Sequence, residues 1–287
     1  MAGLQTLVFL LFGVAFVCAG VTRSNSDVKS FRAFLQKSVD GKYQEPLTPE
    51  LAELQNEWER SGKFEGDIVL TPEQMDTFVD DYSGELSSRN AILAANRKWT
   101  NKILYYTTTG LSAAQVTAVE AALAEIARNS CVTFQRRTTQ TNYVNVLVSN
   151  SGCYSNVGMT GGQQVLNLQT NTPGVGCFRH GTIVHEFLHA LGFYHMQSTH
   201  NRDDYVRIVW DKIQAGTENN FNKYTTSQVT NFNVLYDYGS VLHYSEYGFS
   251  TDGSKTIVPL QSTSATIGQR VGMSAGDISK LRSQYSC

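Results

Sequence analysis

The sequence predicts an α+β fold, a body of two lobes around a cleft with a short acidic segment in front of it. Three observations carry this. Ser112 and Gln115 form a capping-box signal, and Val116, Val119, Leu123 and Ile126 then recur on one helical face, predicting a helix over 113–129. Short runs of strand formers at 99–106 (WTNKILYY), 143–148 (YVNVLV) and 165–168 (VLNL) flank that helix rather than merging with it. The charge also divides at Arg89: residues 21–89 carry 8 basic and 14 acidic side chains, and residues 90–287 carry 15 and 11. A segment of net −6 followed by a body of net +4 suggests one piece made to lie on the other.

Taken in order, residues 1–20 (MAGLQTLVFLLFGVAFVCAG) read as a secretory signal peptide, an apolar core followed by the small residues Ala19 and Gly20. The core is shorter than the ~20 residues of a membrane span. Export sets how the cysteines are read. Cys18 leaves with the signal, and Cys131, Cys153, Cys177 and Cys287 form an even set expected to make two disulfides, with three pairings open. Residues 21–89 are expected to hold one short amphipathic helix over 49–60, where Leu51, Leu54 and Trp58 share a face. This block is too small and too charged to promise a core of its own. Beyond the strands, a Gly-rich stretch spans 158–162, a helix begins at His180 and stops before Gly192, and a last helix lies near 274–284. The whole chain has 23 Lys+Arg against 25 Asp+Glu, which argues against a nucleic-acid partner, and 14 Tyr, 14 Phe and 3 Trp argue against disorder.

The chemistry concentrates in HEFLHALGFYH, residues 185–195. On a helix, His185 and His189 lie one turn apart and can reach one metal ion. Gly192 breaks the helix, so the chain can turn and present His195 as a third imidazole. Glu186 stands beside the first ligand, placed to act as a general base and acid. The string matches the extended HExxHxxGxxH pattern of metzincins, for which zinc is the expected ion.

From Gly181 to Val206 the chain, GTIVHEFLHALGFYHMQSTHNRDDYV, resembles the astacin zinc endopeptidases. The similarity continues in Gly152-Cys153-Tyr154-Ser155-Asn156-Val157-Gly158, in Ser240-Val241-Leu242-His243-Tyr244, and in Phe64-Glu65-Gly66-Asp67, which resembles a motif of the family's propeptides. Arg89-Asn90-Ala91 resembles the junction at which those propeptides are cleaved. The resemblance implies a metzincin-type two-lobed zinc protease domain over 90–287, a propeptide over 21–89, and one Zn²⁺ held by His185, His189 and His195. It implies that Glu186 is catalytic and that Tyr244 coordinates the metal, swings away when substrate binds and assists the oxyanion. Asp67 would occupy the water position of the zymogen, and the disulfides would be Cys131–Cys287 and Cys153–Cys177. Arg270 would face the pocket just after the scissile bond and favour acidic residues there.

Three departures stand out. Met196 replaces the family's Glu after the third His, which helps bind the new N-terminus in relatives. Thr199 and Asn201 replace an Arg and an Asp, and Leu242 replaces the Met beneath the zinc, a swap that nearly conserves volume. The expected protein is a secreted, extracellular, monomeric endopeptidase acting on proteins or peptides, with no membrane partner. Its own propeptide would inhibit it until a second protease cuts near Arg89. Substrate is expected to lie as an extended strand against an edge strand around 144–148. The alternative is a degenerate protease kept as a zinc-containing binding module, which retention of Glu186 and Tyr244 argues against.

Overall fold

The computed structural model describes residues 23–40, 61–84, 97–226 and 228–287. The expected signal peptide, the helix over 49–60 and the junction at Arg89 lie outside them. The regular elements are α1 (Asn25–Asp40), β1 (Ile68–Val69), α2 (Pro72–Ser83), β2 (Ile103–Thr109), α3 (Ala113–Asn129), β3 (Thr133–Arg136), β4 (Tyr143–Ser149), β5 (Tyr154–Asn156), β6 (Gln163–Gln169), α4 (His180–Ala190), β7 (Val206–Ile208), β8 (Ile257–Pro259) and α5 (Ala275–Tyr285). The mixed α+β class matches the sequence.

Six strands form one sheet in the order β1-β5-β6-β4-β2-β3, parallel throughout except for the β5–β6 pair. Leu104 and Tyr106 of β2, Val144 and Val146 of β4, and Leu166 and Leu168 of β6 are buried at alternate positions, as the period of two requires. Helices α3 and α4 join this sheet in one core: Val119, Leu123 and Ile126 of α3 meet Ile183, Val184, Phe187 and Leu188 of α4. Each such side chain contributes roughly 1.5–3 kcal/mol on burial. The predicted bounds of α3 are met, because both its start signal and its apolar stripe are local. Ser112 accepts from the Gln115 amide and the Gln115 side chain caps back.

One expectation fails here. Strand β4 is interior, paired with β2 on one side and β6 on the other, so residues 144–148 offer no edge. The short β5 is the margin of the body, and β1 pairs with it in parallel through Ile68 and Val69.

Gly192 ends α4 with φ +106, and the Gly192 and Phe193 amides return to the His189 and Leu188 carbonyls at 2.8 and 3.1 Å. After it the chain is mostly turns and 3₁₀ segments, with β7 and β8 pairing antiparallel. Helix α5 opens on a Ser274–Asp277 capping box. The Asp277 carboxylate also accepts from Ser240 Oγ at 2.6 Å and the Val241 amide at 2.9 Å, which ties α5 to the turn carrying residues 240–244. Disulfides join Cys131 to Cys287 and Cys153 to Cys177.

The segment before the body builds more than its charge suggested. Phe31, Phe34 and Leu35 of α1, Phe78 and Val79 of α2, and Phe64, Ile68 and Leu70 between them form a buried cluster with Val157 and Tyr224 of the body. Its missing half-core is supplied by the surface on which it lies. Helix α2 starts with a Thr71–Gln74 capping box and ends on Gly84 with φ +79.

Candidate active site

Helix α4 is buried along its whole length except at His180, so its polar side chains are aimed into the protein rather than at water. His185 and His189 share a face one turn apart, as the spacing demands. The close approach of backbones fixes the start of the helix: the Gly181 amide donates to the Arg270 carbonyl at 3.0 Å, and a Cβ on Gly181 would lie 2.1 Å from the Arg270 carbonyl carbon. His195 arrives after the Gly192 turn.

The three Nε2 atoms converge. His185 Nε2 lies 3.0 Å from His189 Nε2 and 3.3 Å from His195 Nε2. Asp67 enters the same point from the segment between α1 and α2, with Oδ2 at 2.9 Å from His185 Nε2 and Oδ1 at 3.3 Å from His195 Nε2 and 3.6 Å from His189 Nε2. All four residues are fully buried, and their ligand atoms lie within 4.8 Å of one another.

The outer nitrogens settle the fit to a metal. His185 Nδ1 donates to the Val241 carbonyl and His189 Nδ1 to the Phe193 carbonyl, both at 2.7 Å. A carbonyl only accepts, so each Nδ1 carries the proton and each Nε2 turns a lone pair to the centre. His195 Nδ1 lies 2.8 Å from Glu65 Oε2. Three imidazoles and a carboxylate in four directions suit zinc. Asp67 and His195 stabilise each other's charged forms. Burial opposes the Asp67 charge, yet His195 and His189 hold its pKa well below the usual carboxylate range. Burial depresses His195 in turn, and Asp67 and Glu65 overcome that and raise it to about 9.

Glu186 is fully buried, and neither carboxylate oxygen has a hydrogen-bond partner among the described residues. Burial first, then the Asp67 charge, pushes its pKa well above the ordinary carboxylate range, and Arg270 opposes this. Arg270 Nη1 donates to the His243 and Gln269 carbonyls at 3.2 and 2.8 Å. Tyr244 is buried beside His195 with ring centroids 4.8 Å apart, and its hydroxyl donates to the Glu65 carbonyl at 2.7 Å. A cavity of about 100 Å³ opens next to His195, lined by Phe78, Tyr194, Met196, Leu242 and Lys280. Met196 turns its sulfur to the Lys280 ammonium there, 2.9 Å away. The Leu242 carbonyl accepts from the Met196 amide at 3.0 Å, and Leu242 lines the same cavity.

The residues singled out from the sequence thus meet at one place: His185, Glu186, His189, His195, Tyr244 and Asp67, with Arg270 near enough to act on Glu186. Glu65 is not among them, yet its backbone and side chain engage Tyr244, His195 and, through its amide, Asn220 Oδ1 at 2.9 Å. Its place two residues before Asp67 is the signal that could have found it. The carbonyls of Val241 and Phe193 carry no sequence signal at all. Of the remaining histidines, His180 pairs with Glu125 at the start of α4. His243 is buried between the Tyr236 hydroxyl and the Tyr244 carbonyl, each 2.7 Å away.

The sequence model for the Astacin peptidase family matches residues 91–286. Zinc metalloproteinase nas-4 of Caenorhabditis elegans is 38% identical over 225 residues, 78% of this chain and 69% of its own. Protein SpAN of Strongylocentrotus purpuratus is 35% identical over 237 residues, 79% of this chain. Meprin A subunit beta of Rattus norvegicus is 40% identical over 215 residues, 74% of this chain. The chain spans only 38% of SpAN and 30% of the meprin subunit. Among solved structures, high choriolytic enzyme 1, a hatching enzyme zinc-protease from Oryzias latipes, superposes with a TM-score of 0.60 at 37% identity, covering 66% of this chain and 93% of that one. With a match over most of its length and a three-histidine site on the expected helix, the chain belongs to the astacin family of zinc peptidases.

Proposed function

We propose that this chain is a secreted zinc endopeptidase made as a latent zymogen, with residues 21–89 as propeptide and 90–287 as the catalytic domain. The observation that carries the reading is the meeting of His185, His189 and His195 with Asp67 beside an unpartnered Glu186. The three histidines would hold the zinc, and Asp67 would be its fourth ligand in the zymogen. When bound, the zinc supplies Lewis acidity that polarises the scissile carbonyl and acidifies the attacking water.

The chain's own groups do the rest. Glu186 accepts the proton of the attacking water and returns it to the leaving nitrogen. Tyr244, once freed from the Glu65 carbonyl, has a hydroxyl to donate to the developing oxyanion. Removing the propeptide would uncover the β5 edge that β1 occupies, and an extended peptide substrate would pair there. Arg270 would draw acidic residues to the primed side, either directly or by holding the backbone around His243. The four disulfide-bonded cysteines fit an extracellular setting.

The test is to activate the secreted chain by cleavage near Arg89 and assay it on a denatured protein. Cleavage abolished both by a chelator and by Glu186→Ala is the expected result. Intact zinc binding with no hydrolysis of any protein or peptide library would favour a binding module instead.

A further inference from the structure

We propose that Glu65 is a second, zinc-retaining half of the latch, a positioning residue that makes the zymogen hold its metal more tightly than the processed enzyme does. This rests on the zymogen reading of residues 21–89. The three imidazoles are not supported alike. The outer nitrogens of His185 and His189 donate to Val241 and Phe193 carbonyls, which belong to the body and stay with it. The outer nitrogen of His195 meets the Glu65 carboxylate, 130 residues upstream and wholly buried. A carboxylate on the far side of a ligating imidazole fixes the ring and strengthens its lone pair, and losing such a partner typically costs 10–100-fold in metal affinity. Glu65 is itself held: its amide donates to Asn220 and its carbonyl accepts from Tyr244. Its backbone sits at φ +47, an uncommon state for a non-glycine residue, so the surrounding contacts specify it. One short loop therefore ends on the metal site through Asp67 and on the outer nitrogen of His195 through Glu65. Its departure would strip a ligand and a supporting charge together.

The experiment measures zinc release from the intact, uncleaved chain by competition with a chromogenic chelator. Wild type, Glu65→Gln, Glu65→Ala and Asp67→Ala are compared, and cobalt-substituted samples report coordination by their visible spectra. Glu65→Ala is expected to weaken zinc retention 10–100-fold. Glu65→Gln, which keeps an acceptor without the charge, should fall between it and wild type. The four-coordinate cobalt spectrum with a carboxylate ligand should persist in both. Zinc retention in both Glu65 variants within twofold of wild type would overturn the proposal. A cobalt spectrum that Asp67→Ala leaves unchanged would instead sink the zymogen reading beneath it, and the two failures are thus told apart.

Discussion

Single residues divide here into those whose type announces them and those whose place does. His185, Glu186, His189 and His195 are legible because metal chemistry needs imidazoles at helical spacing, and few other uses put them there. Tyr244 and Asp67 are legible only through resemblance: a buried tyrosine and a turn aspartate have ordinary explanations in isolation. Glu65 is legible only by its place two residues before Asp67, because a charged residue in an acidic stretch reads as solvated until a fold buries it against His195. Two residue-level outcomes follow. Glu186→Gln in the processed enzyme should lower kcat/KM by roughly 10²–10⁴-fold while zinc content, measured by metal analysis, stays at one per chain. Loss of zinc in that variant would move Glu186 from proton transfer to support of the site. Asp67→Ala in the uncleaved chain should give measurable hydrolysis of a fluorogenic peptide without cleavage near Arg89. Silence there would show that burial of the cleft, and not the fourth ligand, enforces latency.

At the scale of elements, the sequence reveals whatever is stabilised locally. Helix α3 is readable to its end residues from a capping box and an apolar stripe. The stripe of α1, Phe31, Phe34, Leu35 and Ser38, has the same i, i+3, i+4, i+7 spacing, yet its partners Phe64, Phe78 and Tyr224 are far away in sequence. No short helix is stable alone in water, so its existence depends on that distant surface. Pairing of β1 with β5 rests on two residues and joins segments 87 apart, beyond any local pattern. Phe34→Ala should therefore act on the clamp rather than on the catalytic body. It should cost up to about 3–5 kcal/mol, read as a lower unfolding temperature of the uncleaved chain with no change in the processed enzyme. Helix α4 is fixed from its other end. Gly181→Ala would drive a methyl into the Arg270 backbone, 2.1 Å away, where neither segment has room to give. This variant should fail to fold or lose most of its yield of folded protein, whereas Gly161→Ala, with nothing within 4 Å of the new carbon, should pay only for its φ of +88.

For the molecule as a whole, the division of charge at Arg89 is the first sign that two pieces lie together, and the structure changes what that sign means. Net −6 facing net +4 suggests an electrostatic clamp, which salt would loosen. The described contacts are of another kind. The segment is held by an aromatic cluster, in which Phe78 lies 5.8 Å from Tyr194 and 5.6 Å from Tyr224, by strand pairing, and by carboxylates buried at the histidine cluster. Among the described residues its exposed ion pair, Arg32–Asp76, is internal to the segment. Exposed pairs are worth little and are screened, whereas buried contacts lie beyond the reach of dissolved ions. Charge then assists the approach of the two pieces and leaves the closed state to apolar packing and to the metal site. The uncleaved chain at 1 M NaCl, where the screening length is about 3 Å, should accordingly stay silent on a fluorogenic peptide, within about twofold of its rate in low salt. Full activity appearing on addition of salt alone would restore the electrostatic clamp and make the aromatic cluster secondary. A strong salt effect on the rate of re-association after cleavage, with none on dissociation, is the signature expected of steering without holding.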